Sequence, residues 1–396
     1  ERMQQYFDPE NTWEYLCSIN HKLTKNAALF DAKSAREKVT VIEKYNSDRI
    51  KRYLLRPCET KWCYYCSIPP LWNRTRPSLF KHNFDGNSFL ISRPAGVASP
   101  EGVPIYFTRA MGDFDCIRGH SYHSPIRICR EPSKRKKGDV TNNMFVEYAA
   151  NLSDVAREYL QGLSLDDLDK NVENSELIWM HALAIGYSPA YLEENVEGIR
   201  QDWPRIPLPR SKKVLLESVE LGRRVASLLD TEKPVEGVTE GKIDERLKSI
   251  GVITRVEGGA IRPDKGELDL TAGWGHAGKG GVCMPGKGKY AVRKQENGEL
   301  RKVFGDETLD IYLNDAVYWE NVPNCVWEYY IGGYQVIKKW LSYREKGMLG
   351  RCLKVEEAEY VTEMARRLSA LVLLQEELNA NYNAVKEETW LWPVQQ

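Results

Sequence analysis

Three groups of residues in this 396-residue chain have the types and spacings that do chemistry. Cys63-Tyr-Tyr-Cys66 has the gap of a zinc half-site, and Cys116, His120, His123 and Cys129 crowd together further on. Structural zinc takes four such ligands, usually as two answering pairs. No second C-x-x-C answers the first here, so reduced, half-buried thiols are expected and no metal ligand is assigned. His120 follows Asp113 and Asp115 closely, as an acid–base pair would, but no serine or cysteine nucleophile context accompanies it. That leaves a hydrogen-bonding histidine and no catalytic residue. Gly273-Trp-Gly-His-Ala-Gly-Lys-Gly-Gly281 has the glycines and the lysine of a phosphate loop in the wrong order: the loop needs G-x-x-x-x-G-K-(S/T) opening a helix, and Lys279 is followed by two glycines.

What remains is basic, aromatic and polar. Leu71–His82 sets Arg74, Arg76 and Lys81 among Trp72 and Phe80. A guanidinium both forks onto phosphates and stacks on rings, so this stretch suits nucleic acid; a strand edge with snorkelled arginines has the same pattern. Lys134, Arg135, Lys136 and Lys137 form a cationic loop suited to phosphate contact or to solubility alone. Lys279, Lys287 and Lys289 belong to a glycine-rich segment expected to be a flexible loop, where little but backbone would separate the chain from a phosphate. Trp327–Glu345 joins an aromatic, strand-like run to a helix through Gly332-Gly333. On a helical wheel Val336, Ile337, Trp340, Leu341 and Tyr343 share one arc, while Gln335, Lys338, Lys339 and Ser342 fall opposite and are expected to be exposed.

The elements that must position these residues form an α+β fold, with β-rich recognition lobes separated by a helical spacer and braced by a long C-terminal helix. A first, basic, β-rich part spans 1–142. In it Met3–Asn20 has no long period, Ala27–Glu43 is mixed, and Arg52–Tyr65 alternates as two strands around Arg56-Pro57. The spacer, 143–235, opens on an amphipathic helix through Met144, Tyr148, Leu152, Val155, Ala156, Tyr159 and Leu160, and ends on a helix over Lys212–Leu229. A lobe with the glycine-rich segment spans 236–345, with a short charged helix at Lys242–Ile250 and strands over Leu300–Asn314 and Asp315–Tyr330. The brace, 346–396, is one helix from Val355 to Tyr382.

Length allows two or three compact units, and 42% hydrophobic with 28% charged residues is ordinary for a soluble globular chain. No run approaches the roughly 18 apolar residues of a membrane helix, and the start has no signal-peptide core, so no membrane partner and a cytoplasmic location are expected. The net charge of zero hides a division: residues 1–150 hold 24 Lys+Arg against 16 Asp+Glu, and residues 151–396 hold 32 against 40. A basic part joined to an acidic part can offer phosphates a surface without excess charge overall.

Several stretches resemble, in the same order, the C-terminal target-recognition (specificity) region of Type ISP single-polypeptide restriction-modification enzymes and related N6-adenine DNA methyltransferases. They include R-P-C-E-T-K-W-C-Y-Y from Arg56, R-P-S-L-F-K-H from Arg76, L-I-W-M-H-A-L-A-I-G-Y from Leu177, V-P-N-C-V-W-E-Y-Y-I-G-G-Y from Val322 and T-E-M-A-R-R from Thr362. The resemblance implies sequence-specific binding of double-stranded DNA, with Arg74, Arg76, Lys81, Lys134, Arg135, Lys136, Lys137, Lys279, Lys287, Lys289, Gln335, Lys338 and Lys339 as expected contacts. It implies a larger, site-specific adenine methyltransferase whose catalytic part, upstream or on a separate chain, binds S-adenosylmethionine. Since Glu1 is not an initiator methionine, a longer parent chain is expected. The (N/D)-P-P-(Y/F/W) motif that receives a flipped adenine is missing: Pro69-Pro70 lies between Ile68 and Leu71. No Walker lysine or helicase motif occurs either, so no cofactor is expected on this chain. The alternative is an interaction module that docks a separate methyltransferase or nuclease subunit without touching DNA.

Overall fold

The computed structural model describes residues 1–26, 30–69, 71–72, 75–93, 96, 101–130 and 147–392. Arg74 and the run Lys134–Lys137 lie outside the described residues, as do 143–146 at the expected start of the spacer helix. The chain has a mixed α+β fold of helices and several small antiparallel sheets. Among the described residues no helix is long and apolar enough to cross a membrane.

The first part starts with short helices, Arg2–Phe7 and Trp13–Ser18, and with Ala32–Ile42, whose first turn is capped by the Asp31 carboxylate accepting from Ser34 N–H. They bury Tyr6, Leu16 and Val39 against Tyr64 of the expected hairpin, strands Ile50–Arg56 and Glu59–Tyr64, and against Cys66 just beyond it. Its two-residue turn is Pro57-Cys58, with Cys58 at φ +56°. Beyond it, Phe89–Ser92 is the central strand between Ile105–Thr108 and Tyr122–Pro125. Arg127–Arg130 pairs with Glu147–Ala150.

That last pairing corrects the expectation of a helix from Asn143. Residues 147–150 are a strand, and the helix is Asp154–Gly162, because Ser153 leaves the helical region and its side chain accepts from Ala156 N–H. Within the spacer, Val172–Gly186 is capped by Asn171 and packs on Lys212–Leu229, capped by Ser211, at the residues expected for that helix. The two cross where Gly222 meets the Met180 backbone, so closely that a Cβ on Gly222 would fall on the Met180 carbonyl. The last carbonyls of Lys212–Leu229 accept from a wholly buried Arg367: Ser227 at 3.0 Å and Leu228 at 3.2 Å. A cation is favoured where orphan carbonyls and the helix dipole converge.

The second β-rich part is a four-stranded sheet in the order Tyr290–Lys294, Glu307–Tyr312, Val317–Pro323, Val252–Arg255. Alternation sends Val317 and Trp319 inward and leaves Tyr318 and Glu320 outward. Burying an aromatic of this size is worth roughly 2–3 kcal/mol, and Trp319 is further held by its indole N–H on the Ala358 carbonyl at 2.9 Å. Two expectations fail here. Gly298–Phe304 is a helix, because Asn297 accepts from Glu299 and Leu300 N–H and starts one ahead of the strand. Lys242–Ile250 is a series of turns in which Asp244 is tied to Arg246.

The brace is Val355–Leu373, interrupted at Leu374 and continued as Gln375–Glu387. Its first half lies across Val252–Arg255 and Val317–Pro323, where Thr362 donates to the Gly251 carbonyl at 2.5 Å; its second half lies on the spacer helices. One continuous cluster of buried side chains runs from Leu54 to Leu378.

Candidate nucleic-acid interface

Trp327–Glu345 ties the two β-rich parts together. Tyr330–Ile331 and Tyr334–Gln335 pair around Gly332-Gly333, whose φ values of +54° and +81° only glycine adopts cheaply. The same turn pairs with the first part: Val103 N–H donates to the Tyr330 carbonyl, Gly332 N–H to Val103, and Gly333 N–H to Glu101. Glu101 is itself buried and held by Arg93 at 2.7 Å. The helix Val336–Ser342 therefore starts from a fixed point between the lobes.

Its polar strip is not solvent surface. Lys339 is only 8% exposed and Ser342 is wholly buried. The glycine-rich segment covers them: Cys283 accepts from Lys339 Nζ at 3.3 Å through its carbonyl and sends its thiol to the Ser342 carbonyl at 3.1 Å. Gln335 spends its amide N–H on the Trp327 carbonyl at 2.8 Å, and Lys338 is half-buried. The wheel described one helix alone and could not include the neighbour that packs on it.

That neighbour, expected as a loop, is a two-stranded finger. Gly275–Ala277 pairs with Cys283–Pro285, turning at Lys279-Gly280-Gly281. Trp274, wholly buried, is its anchor: the indole N–H donates to the Tyr312 carbonyl at 2.7 Å and the ring meets Trp327 edge-on at 5.1 Å. The glycines are needed for close approach. A Cβ on Gly288 would strike the Trp274 ring, and one on Gly275 the Ser342 carbonyl. The finger presents exposed Lys279, Val282 (59% exposed) and Met284 (46%), with Lys287 exposed at its base. Lys289 is also exposed but is paired with Asp315 at 2.6 Å and lies over the Tyr312 ring.

Beside the finger, cations and rings alternate in one ladder across the lobe boundary. Lys339 Nζ lies 4.5 Å from the Tyr343 ring centre and 5.8 Å from that of Tyr334; Lys61 Nζ lies 5.5 Å from the Tyr343 ring centre. Arg56 lies 5.3 Å from Tyr334 and pairs with Asp113 at 3.1 Å. Arg76 continues the row, bonding Tyr53 OH at 3.4 Å and His123 Nδ1 at 3.3 Å. Burial pushes the Tyr343 phenol up to about 12, keeping it neutral. Burial also pulls the Lys339 ammonium below its usual range, with Arg56 adding to the effect and Cys283 opposing it. Among the described residues that ammonium has one hydrogen bond and no carboxylate, and it is held by the two ring faces. His123 is forced neutral, its pKa pushed down to about 3 by burial and by Arg76.

Of the expected contacts, Lys339, Gln335 and Lys338 sit at the ladder's helix and Arg76 at its far end, while Lys279 and Lys287 are on the finger. Lys81 is exposed beyond the short helix Pro77–Phe80. Arg56, Lys61, Tyr334 and Tyr343 were missed; the K-W-C-Y-Y and Y-R-E runs held the signal, but only the fold brings them together. Cys63 and Cys66 are free thiols, and among the described residues no group of three or more His, Cys, Asp and Glu side chains converges as a metal site.

The Type ISP C-terminal specificity domain matches residues 3–368. No curated protein matches the chain. Among solved structures, an ATP-dependent Type ISP restriction-modification enzyme, LlaBIII bound to DNA, is similar over 96% of this chain and 21% of its own, at 14% identity and a TM-score of 0.51. A DrdV–DNA complex is similar over 100% of this chain and 33% of its own, at 16% identity and a TM-score of 0.53. At those identities the likeness concerns the fold, and the chain spans a third or less of either protein. With a match over nearly its whole length, the chain belongs to the Type ISP C-terminal specificity domain family.

Proposed function

We propose that this chain recognises the DNA target of a larger restriction-modification protein: it binds duplex DNA and selects the site at which a catalytic part acts. The observation that carries the proposal is the span of the family match, 3–368, which leaves no other large unit in the described chain to assign. The division of labour follows from the geometry. Lys61, exposed at the ladder's edge, contacts phosphates, while buried Lys339 and the Asp113-paired Arg56 hold the neighbouring rings in place. The finger, rigid through Trp274 and carrying both lysines and apolar side chains, suits groove edges, where lysine reads acceptors and an apolar group meets a thymine methyl. Gln335 orients the turn and is a positioning residue.

In this proposal methyl transfer to adenine, and the S-adenosylmethionine it consumes, belong to a catalytic part on the same polypeptide or a separate chain, working in the cytoplasm. A fluorescence-anisotropy titration of the chain with duplex DNA at several salt concentrations tests the binding. Affinity that falls linearly with log salt, with a slope of several phosphate contacts, is expected. No binding to duplex at low salt would leave a protein-docking module as the better account.

A further inference from the structure

The outer face of the finger is apolar where a surface made only for phosphates would be polar. Cys283 donates its thiol to the Ser342 carbonyl at 3.1 Å, and its own carbonyl accepts from Lys339 at 3.3 Å. The residues on either side of it, Val282 and Met284, therefore point away from that helix, and they are 59% and 46% exposed. Their positions are fixed. Gly278 N–H donates to the Val282 carbonyl at 2.7 Å, and the Met284 side chain lies across Gly278, where a Cβ would strike it. His276, directly opposite Met284 in the ribbon, is exposed on the same face. Residues 275–294 hold five cations, Lys279, Lys287, Lys289, Arg293 and Lys294, and no carboxylate. Lys289 is paired with Asp315, and Arg293 with Asp310 and Glu320, while Lys279, Lys287 and Lys294 are exposed.

Such a face suits an occupant that carries negative charge and offers an apolar group between its charges. A DNA duplex supplies both. A two-stranded ribbon fits the major groove, about 12 Å wide, and is too broad for the minor groove, about 6 Å wide. The major groove carries one apolar substituent, the 5-methyl group of thymine; the other base edges there are hydrogen-bond donors and acceptors that valine cannot satisfy and methionine meets only weakly. We propose that Val282 and Met284 are specificity-determining residues that pack on a thymine 5-methyl group, so that the recognised sequence contains at least one A·T pair read by its methyl. The proposal rests on the DNA-binding function above and adds to it the residues that read and the group they read. Uracil pairs as thymine does and lacks only that methyl, which makes deoxyuridine the probe.

The test takes duplexes enriched by the full chain from a random-sequence pool, replaces each thymine in turn by deoxyuridine, and titrates them by fluorescence anisotropy. At one position or more the replacement is expected to weaken binding about three- to fourfold, the worth of one buried methyl group. Val282→Ala with Met284→Ala, both at exposed positions, is expected to melt at the temperature of the parent chain and to bind the thymine and uracil duplexes alike. An enriched motif without an A·T pair overturns the methyl contact and leaves the DNA-binding function standing. A motif in which no replacement by uracil weakens binding does the same. A loss on uracil that persists in the double variant places the methyl against other residues and overturns the assignment of Val282 and Met284. Failure to bind any duplex, or a pool that stays random, overturns the proposed function and the methyl contact with it.

Discussion

His181 sits wholly buried in the spacer, with Ser218 Oγ 2.7 Å from Nδ1 and the Pro207 carbonyl accepting from Nε2 at 2.7 Å. Burial drives its pKa from 6.5 to about 4, against the opposing effect of the Pro207 bond. Between those values the unfolded chain takes up a proton that the folded chain refuses. The contribution is therefore full above pH 6.5 and lost as pH falls toward 4, by about 3 kcal/mol. Urea unfolding at pH 7 and 4.5 is expected to show this loss, and His181→Asn a shallower dependence. Glu59 is the other residue on which much depends: 2% exposed, it accepts from Arg344 at 2.7 and 3.1 Å and pairs with Lys61 at 3.1 Å. Glu59→Ala leaves the largely buried Arg344 with only the distant Glu357, 4.0 Å away, and should cost roughly 3 kcal/mol, whereas Lys61→Ala should cost about 1 kcal/mol or less in the same urea titration. Single-residue roles were the least legible in the sequence. Arg76 was visible from its aromatic neighbours, but Lys339 looked exposed because a wheel knows only its own helix, and Arg56 became a site residue only when Tyr334 was folded against it.

At the scale of elements, capping residues and local alternation were readable and long-range pairing was not. Lys212–Leu229 and the hairpin from Ile50 form from their own sequence: Ser211 caps the one, and Pro57-Cys58 turns the other. Glu147–Ala150 has helical spacing, yet Arg127–Arg130, across an intervening segment, claims its backbone as a strand. The glycine-rich finger was misjudged for a related reason. Its glycines serve contact with Trp274 and Ser342, and composition alone does not distinguish glycine that loosens a chain from glycine that lets it pack. Two measurements address these elements. Gly222→Ala puts a methyl on the Met180 carbonyl, so the helices must part; about 1–3 kcal/mol of destabilisation is expected in thermal unfolding, with no change in residual duplex affinity below the transition. Lys279→Ala with Lys287→Ala should weaken duplex binding, lower the log–log salt slope by roughly 2, and leave the melting temperature unchanged.

For the molecule as a whole, the division of charge was legible, and so was the sequence of β-rich part, helical spacer, β-rich part and brace. How they close on one another was not, since the contacts joining them, Val103 with Tyr330, Arg344 with Glu59 and Arg367 with the end of Lys212–Leu229, are between residues far apart in the chain, 285 apart for Arg344 with Glu59 and 140 for Arg367 with Ser227, and have no local signature. That closure puts the ladder across both β-rich parts and, in the proposed function, makes selection of a DNA site a property of the whole chain. Enrichment of bound duplexes from a random-sequence pool tests it most directly. The intact chain is expected to enrich one defined sequence motif, and Lys279→Ala with Lys287→Ala to lower the yield at every round. A pool that stays random after repeated rounds, despite measurable duplex binding, would contradict target recognition by this chain.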